Sequence, residues 1–162
     1  MHRVGQFVAH VRARVDPGEL ELVRRVLPDG GMRLFSAMPV ADRRHGLDVA
    51  GRLLRGGHDD ADLLGAALLH DAAKGRRMGL VHRVAGVLLE AWAPSVLRRL
   101  ADANPASWRH PFHLYLHHGP MSAELALAAG CDPRLAGFIR GHAPTDADAR
   151  LLRALKAADD AG

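Results

Sequence analysis

Hydrophobic residues recur with a period near 3.6 along most of the chain, and no segment shows a sustained period-2 alternation. This pattern predicts an all-α fold. Breaks such as Gly56-Gly57, Asn104-Pro105 and Gly119-Pro120 separate the helical segments. The predicted helices cover residues 17–27, 31–38, 40–55, 59–72, 79–92, 94–102, 120–129, 133–141 and 145–160.

The length of 162 residues indicates one compact domain. We expect residues 1–40 to form a helical lead-in that packs on the remainder, because so short a segment cannot hold a core of its own. Residues 41–162 then form the main domain. Within it, Trp108 and Phe112 are expected to be core anchors.

Composition narrows the functional classes. The 22 basic and 18 acidic side chains give a net charge of +4, and the basic residues are dispersed rather than clustered. Aromatic residues make up only 4% of the chain, which disfavours a nucleic-acid partner. The lone Cys131 excludes a disulfide scaffold. No leader peptide or membrane span is visible in the sequence, so we expect a cytoplasmic protein with no membrane association.

The first chemical signal is a carboxylate that continues an apolar helix. Residues 63–69 are apolar on every face and lead directly into His70 and Asp71. Asp71 falls on the same face as Leu64 and Ala67 by helical spacing. A carboxylate in such surroundings needs a cation, several donors or a proton. The alternative is a structural Asp that caps a helix or pairs with an arginine.

The last predicted helix shows the same anomaly. Leu152, Leu155 and Asp159 share one face, and Asp159 lies in the final turn, where the helix dipole disfavours an anion. A bound cation would explain this placement. The alternative is that Asp159 is a solvated residue near the chain end.

Three histidines extend the set: His45 in the first half of the predicted helix 40–55, His118 in the loop before the predicted helix 120–129, and His142 at the close of the predicted helix 133–141. Neutral imidazoles and carboxylates that are distant in sequence are the donors of transition-metal sites. Six such donors are too many for one tetrahedral ion, and they suit two adjacent ions bridged by Asp71. The candidate metal ligands are His45, His70, Asp71, His118, His142 and Asp159.

This ordered series resembles the signature of the HD-domain superfamily of metal-dependent phosphohydrolases. LLGAALLHDAAKG is similar to the superfamily's core motif, an apolar helix ending in His-Asp with Lys three residues later. LHHGPMSAELA, FIRGHAP and LLRALKAADD resemble the segments that carry the later His and Asp ligands. The resemblance extends from about Ala41 to the C-terminus. The layout is most similar to that of small bacterial HD proteins that cleave diadenosine tetraphosphate symmetrically.

The resemblance implies a single-domain helical bundle with a central dinuclear site, and it favours His118 over His117 as a ligand. The implied cofactor is two divalent ions of Fe, Mn or another first-row transition metal, with Mg²⁺ as a further candidate. One ion would be held by His45, His70, Asp71 and Asp159, and the other by Asp71, His118 and His142.

Basic residues near the His-Asp pair are the expected substrate contacts. Asp71 and Lys74 are expected to be catalytic, with Lys74 as a compact charge that neutralises a phosphate oxygen or orients the water. Lys74, Arg76, Arg77 and Arg140 are expected to bind the substrate. The alternative for each of these cations is an ordinary solvated side chain.

The expected function is therefore metal-dependent hydrolysis of a phosphoester or phosphoanhydride bond, with a phosphorylated small molecule such as a nucleotide as substrate. Two other classes use the same ligand set. One is a di-iron oxygenase of the HD type, and the other is a non-catalytic nucleotide-sensing module. The sequence does not define an oligomeric state.

Overall fold

The computed structural model describes residues 16–75 and 78–161, and within these ranges all regular secondary structure is helical, which confirms the all-α prediction. Residues 1–15 of the predicted lead-in lie outside the described residues. The helices are α1 (Pro17–Val26), α2 (Asp29–Ala37), α3 (Val40–Arg55), α4 (Ala61–Leu69), α5 (Leu80–Trp92), α6 (Pro94–Leu100), α7 (His110–Ala128), α8 (Pro133–Arg140) and α9 (Asp146–Asp160).

Helix α4 is the centre of the fold. Every residue from 63 to 69 is buried, as the uniformly apolar sequence predicts, and α4 contacts α1, α2, α3, α7, α8 and α9. The Asp60 carboxylate accepts a hydrogen bond from the Leu63 N–H (3.0 Å) and begins the helix. Because α4 ends at Leu69, the His70-Asp71 pair lies in the turn that leaves the core.

Helix α3 crosses α4 at a glycine. A Cβ atom at Gly46 would lie 3.0 Å from the carbonyl oxygens of Ala67 and Leu68, which is closer than a side chain normally packs against backbone. The absence of a side chain lets the two helices approach at this point. Since His45 precedes Gly46, the crossing also brings His45 toward His70 at the end of α4.

Replacing Gly46 by alanine is expected to destabilise the protein by about 1–3 kcal/mol, because backbone atoms of α4 cannot yield as a flexible side chain would. Gly18→Ala is the matched control: Gly18 is also helical, but nothing lies within 4 Å of its Cβ position. This control should leave stability unchanged or raise it, as alanine favours helix. Urea unfolding of the two variants measures the difference, and equal midpoints would contradict the tight crossing.

The prediction of a loop before residue 120 is wrong. Residues His110–Ala128 form one helix with Pro120 inside it. An internal proline lacks a donor and costs about 3 kcal/mol in a helix, but α7 buries side chains on both sides of it, including Leu114, Ser122 and Ala123. Tertiary packing therefore keeps α7 continuous. His118 consequently lies within a helix rather than in a loop.

Of the two predicted core anchors near the start of α7, one is buried and the other is exposed. Phe112 is buried, as predicted. Trp108 is 71% exposed, so the prediction for this residue is wrong. Trp108 precedes α7, and its side chain lies on the surface.

Helix α5 braces α7 from outside the core. Gly86 packs against the ring of Tyr115, where a Cβ atom would approach ring carbons to 2.6 Å. The Tyr115 hydroxyl donates a hydrogen bond to the Glu90 carboxylate (2.6 Å). These contacts fix the turn of α7 that precedes His118. None of the described helices has both the length and the apolar character that a bilayer span requires.

Candidate metal centre

Three of the predicted ligands converge from separate parts of the chain. His45 lies on α3, His70 follows α4, and Asp159 lies near the end of α9. One donor atom from each of them falls within 4.8 Å of the other two. His45 Nε2 is hydrogen-bonded to Asp159 Oδ1 at 2.8 Å, and His70 Nε2 lies 3.5 Å from the same oxygen.

Asp71 joins this group from the buried side. Its Oδ1 lies 3.5 Å from His70 Nε2 and 3.7 Å from His118 Nε2, both too far for a good hydrogen bond. Its Oδ2 accepts a hydrogen bond from Lys74 Nζ at 2.7 Å. Asp71 is only 2% exposed, and Oδ1 has no hydrogen-bond partner among the described residues. A buried anionic oxygen that faces imidazole nitrogens without bonding to them fits a cation site.

The backbone sets the tautomer of two imidazoles. His70 Nδ1 donates to the carbonyl of Ala67 (2.9 Å), and His118 Nδ1 donates to the carbonyl of Tyr115 (2.8 Å). Each bond reaches three residues back along the chain. With a proton on Nδ1, Nε2 is the atom of each ring that faces Asp71, and in the neutral ring it carries the lone pair that binds a metal.

Charge around the group favours ionised carboxylates. Burial acts to raise the pKa of Asp71, but His70 and Lys74 outweigh it and lower this pKa to about 2. Hydrogen bonds from His45 and His70 lower the pKa of Asp159 well below its usual range. Both carboxylates are therefore anionic at neutral pH.

The pKa values of the two imidazoles beside Asp71 shift in opposite directions. Burial lowers the pKa of His70, but the carboxylates of Asp71 and Asp159 raise it by more. Burial and the nearby Lys74 ammonium lower the pKa of His118, which keeps that ring neutral at pH 7. A neutral ring is the form that binds a metal.

The structure brings together five of the six predicted ligands, namely His45, His70, Asp71, His118 and Asp159. It does not bring His142 to them: His142 is exposed, and within the described ranges no contact joins its ring to the group. The cause is the end of α8. Gly141 adopts a left-handed φ of 77°, and the His142 N–H bonds to the Gly137 carbonyl (2.8 Å), which turns the chain out of the helix.

The predicted substrate cations are placed as follows. Lys74 is bound to Asp71, so its charge is directed at the ligand rather than outward. Arg140 forms an ion pair with Glu124. Arg76 and Arg77 lie outside the described residues.

Two supporting features were not predicted from the sequence. Ser122 of α7, fully buried, accepts a hydrogen bond from the Ala73 N–H (3.0 Å) and ties the turn after Asp71 to α7. The other feature is a cavity of about 140 Å³ beside the ligand group. Its lining includes His70, His118, Phe138, Ile139, Leu155 and Lys156. Two sequence features could have indicated the cavity: the small residue Gly119, and the position of His118 on a helix. The prediction of a loop before residue 120 concealed the second feature.

Comparisons with family models, with curated proteins and with solved structures find no match to this chain. The resemblance to the HD superfamily stays a prediction from the sequence motifs.

Proposed function

We propose that this protein is a metal-dependent phosphohydrolase of the HD type, acting on a phosphoester or phosphoanhydride bond of a small phosphorylated molecule such as a nucleotide. The observation that carries the proposal is the buried Asp71 Oδ1, unpaired among the described residues, which faces Nε2 of His70 and Nε2 of His118 while Nδ1 of each ring donates to a backbone carbonyl. This donor set of imidazole and carboxylate suits a first-row divalent ion. A purely structural Asp would instead direct both oxygens to donors.

His45, His70, Asp71 and Asp159 would hold one ion. Asp71 and His118 offer two donors for a second ion, and His142 would have to join them to complete the predicted set. When bound, such an ion supplies Lewis acidity and makes hydroxide available from water near neutral pH.

The protein's own residues prepare this site. Lys74 holds Asp71 Oδ2, which leaves Oδ1 directed at the imidazoles. The Ala67 and Tyr115 carbonyls fix the rings of His70 and His118. The site is thus preorganised by hydrogen bonds that need no change when a ligand enters.

The cavity beside the ligands supports this proposal as a place for the substrate. Phe138 and Leu155 are buried residues of its lining, and His118 lines it with a side chain that is 31% exposed. A volume of about 140 Å³ suits a phosphoryl group and the atoms next to it. The remainder of a nucleotide would lie outside this cavity.

Metal analysis of the purified protein, followed by turnover of a generic phosphodiester and a nucleotide panel with Mn²⁺, Fe²⁺ or Co²⁺, tests the proposal. The expected result is bound transition metal and metal-dependent hydrolysis. A coloured, oxygen-sensitive protein without phosphatase activity would instead identify the di-iron oxygenase class. Metal and nucleotide binding without turnover would identify a sensing module.

A further inference from the structure

Both lysines of this chain lie at the candidate metal centre. Of the 22 basic side chains only Lys74 and Lys156 are lysines, and the remaining 20 are arginines. Lys74 binds Asp71, and Lys156 lines the cavity together with His70, His118 and Asp159. Lys156 lies three residues before Asp159 on α9, so the two residues share a face of the helix.

No side chain among the described residues forms an ion pair or a hydrogen bond with the Lys156 ammonium. Within residues 16–75 and 78–161 it has no ion pair, although Asp160 lies one turn further along α9. Lys74 is neutralised by Asp71, and Arg140 is paired with Glu124. Among these three cations of the described residues, Lys156 is therefore the one without an ion pair.

With neutral imidazoles and one bound ion, the charge balance of the site favours such a cation. The carboxylates of Asp71 and Asp159 together with the Lys74 ammonium leave the ligand group with one net negative charge. One divalent ion would change this to one net positive charge. A phosphomonoester is close to a dianion at pH 7, so one further positive charge balances it. Lys156 supplies that charge.

We propose that Lys156 is the anion-binding residue of this site and contacts a phosphoryl oxygen of the substrate in the cavity next to the metal ligands. The inference rests on the proposed function. The apolar walls formed by Phe138, Ile139 and Leu155 offer no competing donors from their side chains. A flexible ammonium at the rim can reach an oxygen that the metal ligands leave exposed.

Binding of inorganic phosphate to the Mn²⁺-loaded full-length protein, measured by calorimetry at low and high salt, tests this assignment. Lys156→Gln is expected to weaken phosphate binding by about tenfold, the low end for loss of a hydrogen bond to a charged group. It should also reduce the salt dependence of that binding. Lys156→Arg should restore most of the affinity, and Mn²⁺ affinity should stay unchanged in both variants.

Arg153→Gln is the matched control, because Arg153 is an exposed cation one turn earlier on α9 and does not border the cavity. It should bind phosphate as the unmodified protein does. Equal phosphate affinity in Lys156→Gln and the unmodified protein would overturn the assignment, as would an equal loss in Arg153→Gln. Absence of phosphate binding to the Mn²⁺-loaded protein would overturn it too. Failure of the initial Mn²⁺ titration would instead reject the proposed metal site, and this inference with it.

Discussion

Alanine at His70 or at Asp71 is expected to weaken Mn²⁺ binding by at least about a hundredfold and to abolish hydrolysis. Each substitution removes one donor from the group formed by His45, His70, Asp71 and Asp159. Loss of an outer partner alone typically weakens a metal site by about 10–100-fold, so loss of a ligand should have a larger effect. Calorimetric titration with Mn²⁺ and a phosphatase assay measure the two losses.

His82→Ala is the control for this pair. The His82 ring packs edge-on against Phe112 with 5.8 Å between ring centroids, away from the ligand group. This variant should retain both metal binding and turnover. Full metal content and full activity in Asp71→Ala would show that the site assignment is wrong.

The affinity for Mn²⁺ is expected to fall by about tenfold for each pH unit below the pKa of His70, since one proton must leave before the ion binds. The carboxylates of Asp71 and Asp159 raise this pKa in the metal-free protein, so protons compete with the ion at higher pH than for an ordinary histidine. Burial and Lys74 lower the pKa of His118, so this ring loses its proton at lower pH than His70 does. Affinities measured from pH 5.5 to 8 give the slope.

An affinity that is independent of pH over this range would contradict the role of His70 as a ligand. An affinity that rises as pH falls would exclude imidazole ligands altogether, because protonation removes the lone pair that binds the metal. Buffers of equal ionic strength serve as the control, so that screening of the carboxylates does not vary with pH.

His142→Ala separates a one-ion site from a two-ion site. Because His142 is exposed and lies apart from the other ligands, the first ion should bind with unchanged affinity. The predicted second ion depends on His142. A fall in stoichiometry from two ions to one would therefore place His142 at the second ion, and an unchanged stoichiometry would remove it from the ligand set.

The parts of the fold that the sequence predicts best are those where local pattern and burial agree. The apolar run before His70 has no polar face, so its burial follows from composition alone. The last predicted helix, 145–160, begins at Thr145, and the Thr145 hydroxyl accepts a hydrogen bond from the Asp148 N–H.

The errors arise where tertiary packing overrides local preference. Pro120 is a helix breaker by its chemistry, but burial on both sides keeps α7 continuous. The orientation of His142 depends on the left-handed backbone of Gly141, which the spacing of ligands does not reveal. The position of Lys156 at the cavity depends on how α9 packs on the rest of the bundle. The hydrophobic periodicity along α9 predicts which residues share a face of the helix, but it does not predict which other helices that face contacts.

The most direct test is anomalous diffraction from crystals grown with Mn²⁺ or Co²⁺. The predicted result is a peak at about 2.0–2.2 Å from Nε2 of His45 and His70 and from carboxylate oxygens of Asp71 and Asp159. The pair formed by the half-buried His113 and the exposed His117, whose ring centroids are 4.5 Å apart on α7, is an internal reference for binding outside the proposed centre. A peak at that pair with none at the buried carboxylate would contradict the proposed centre.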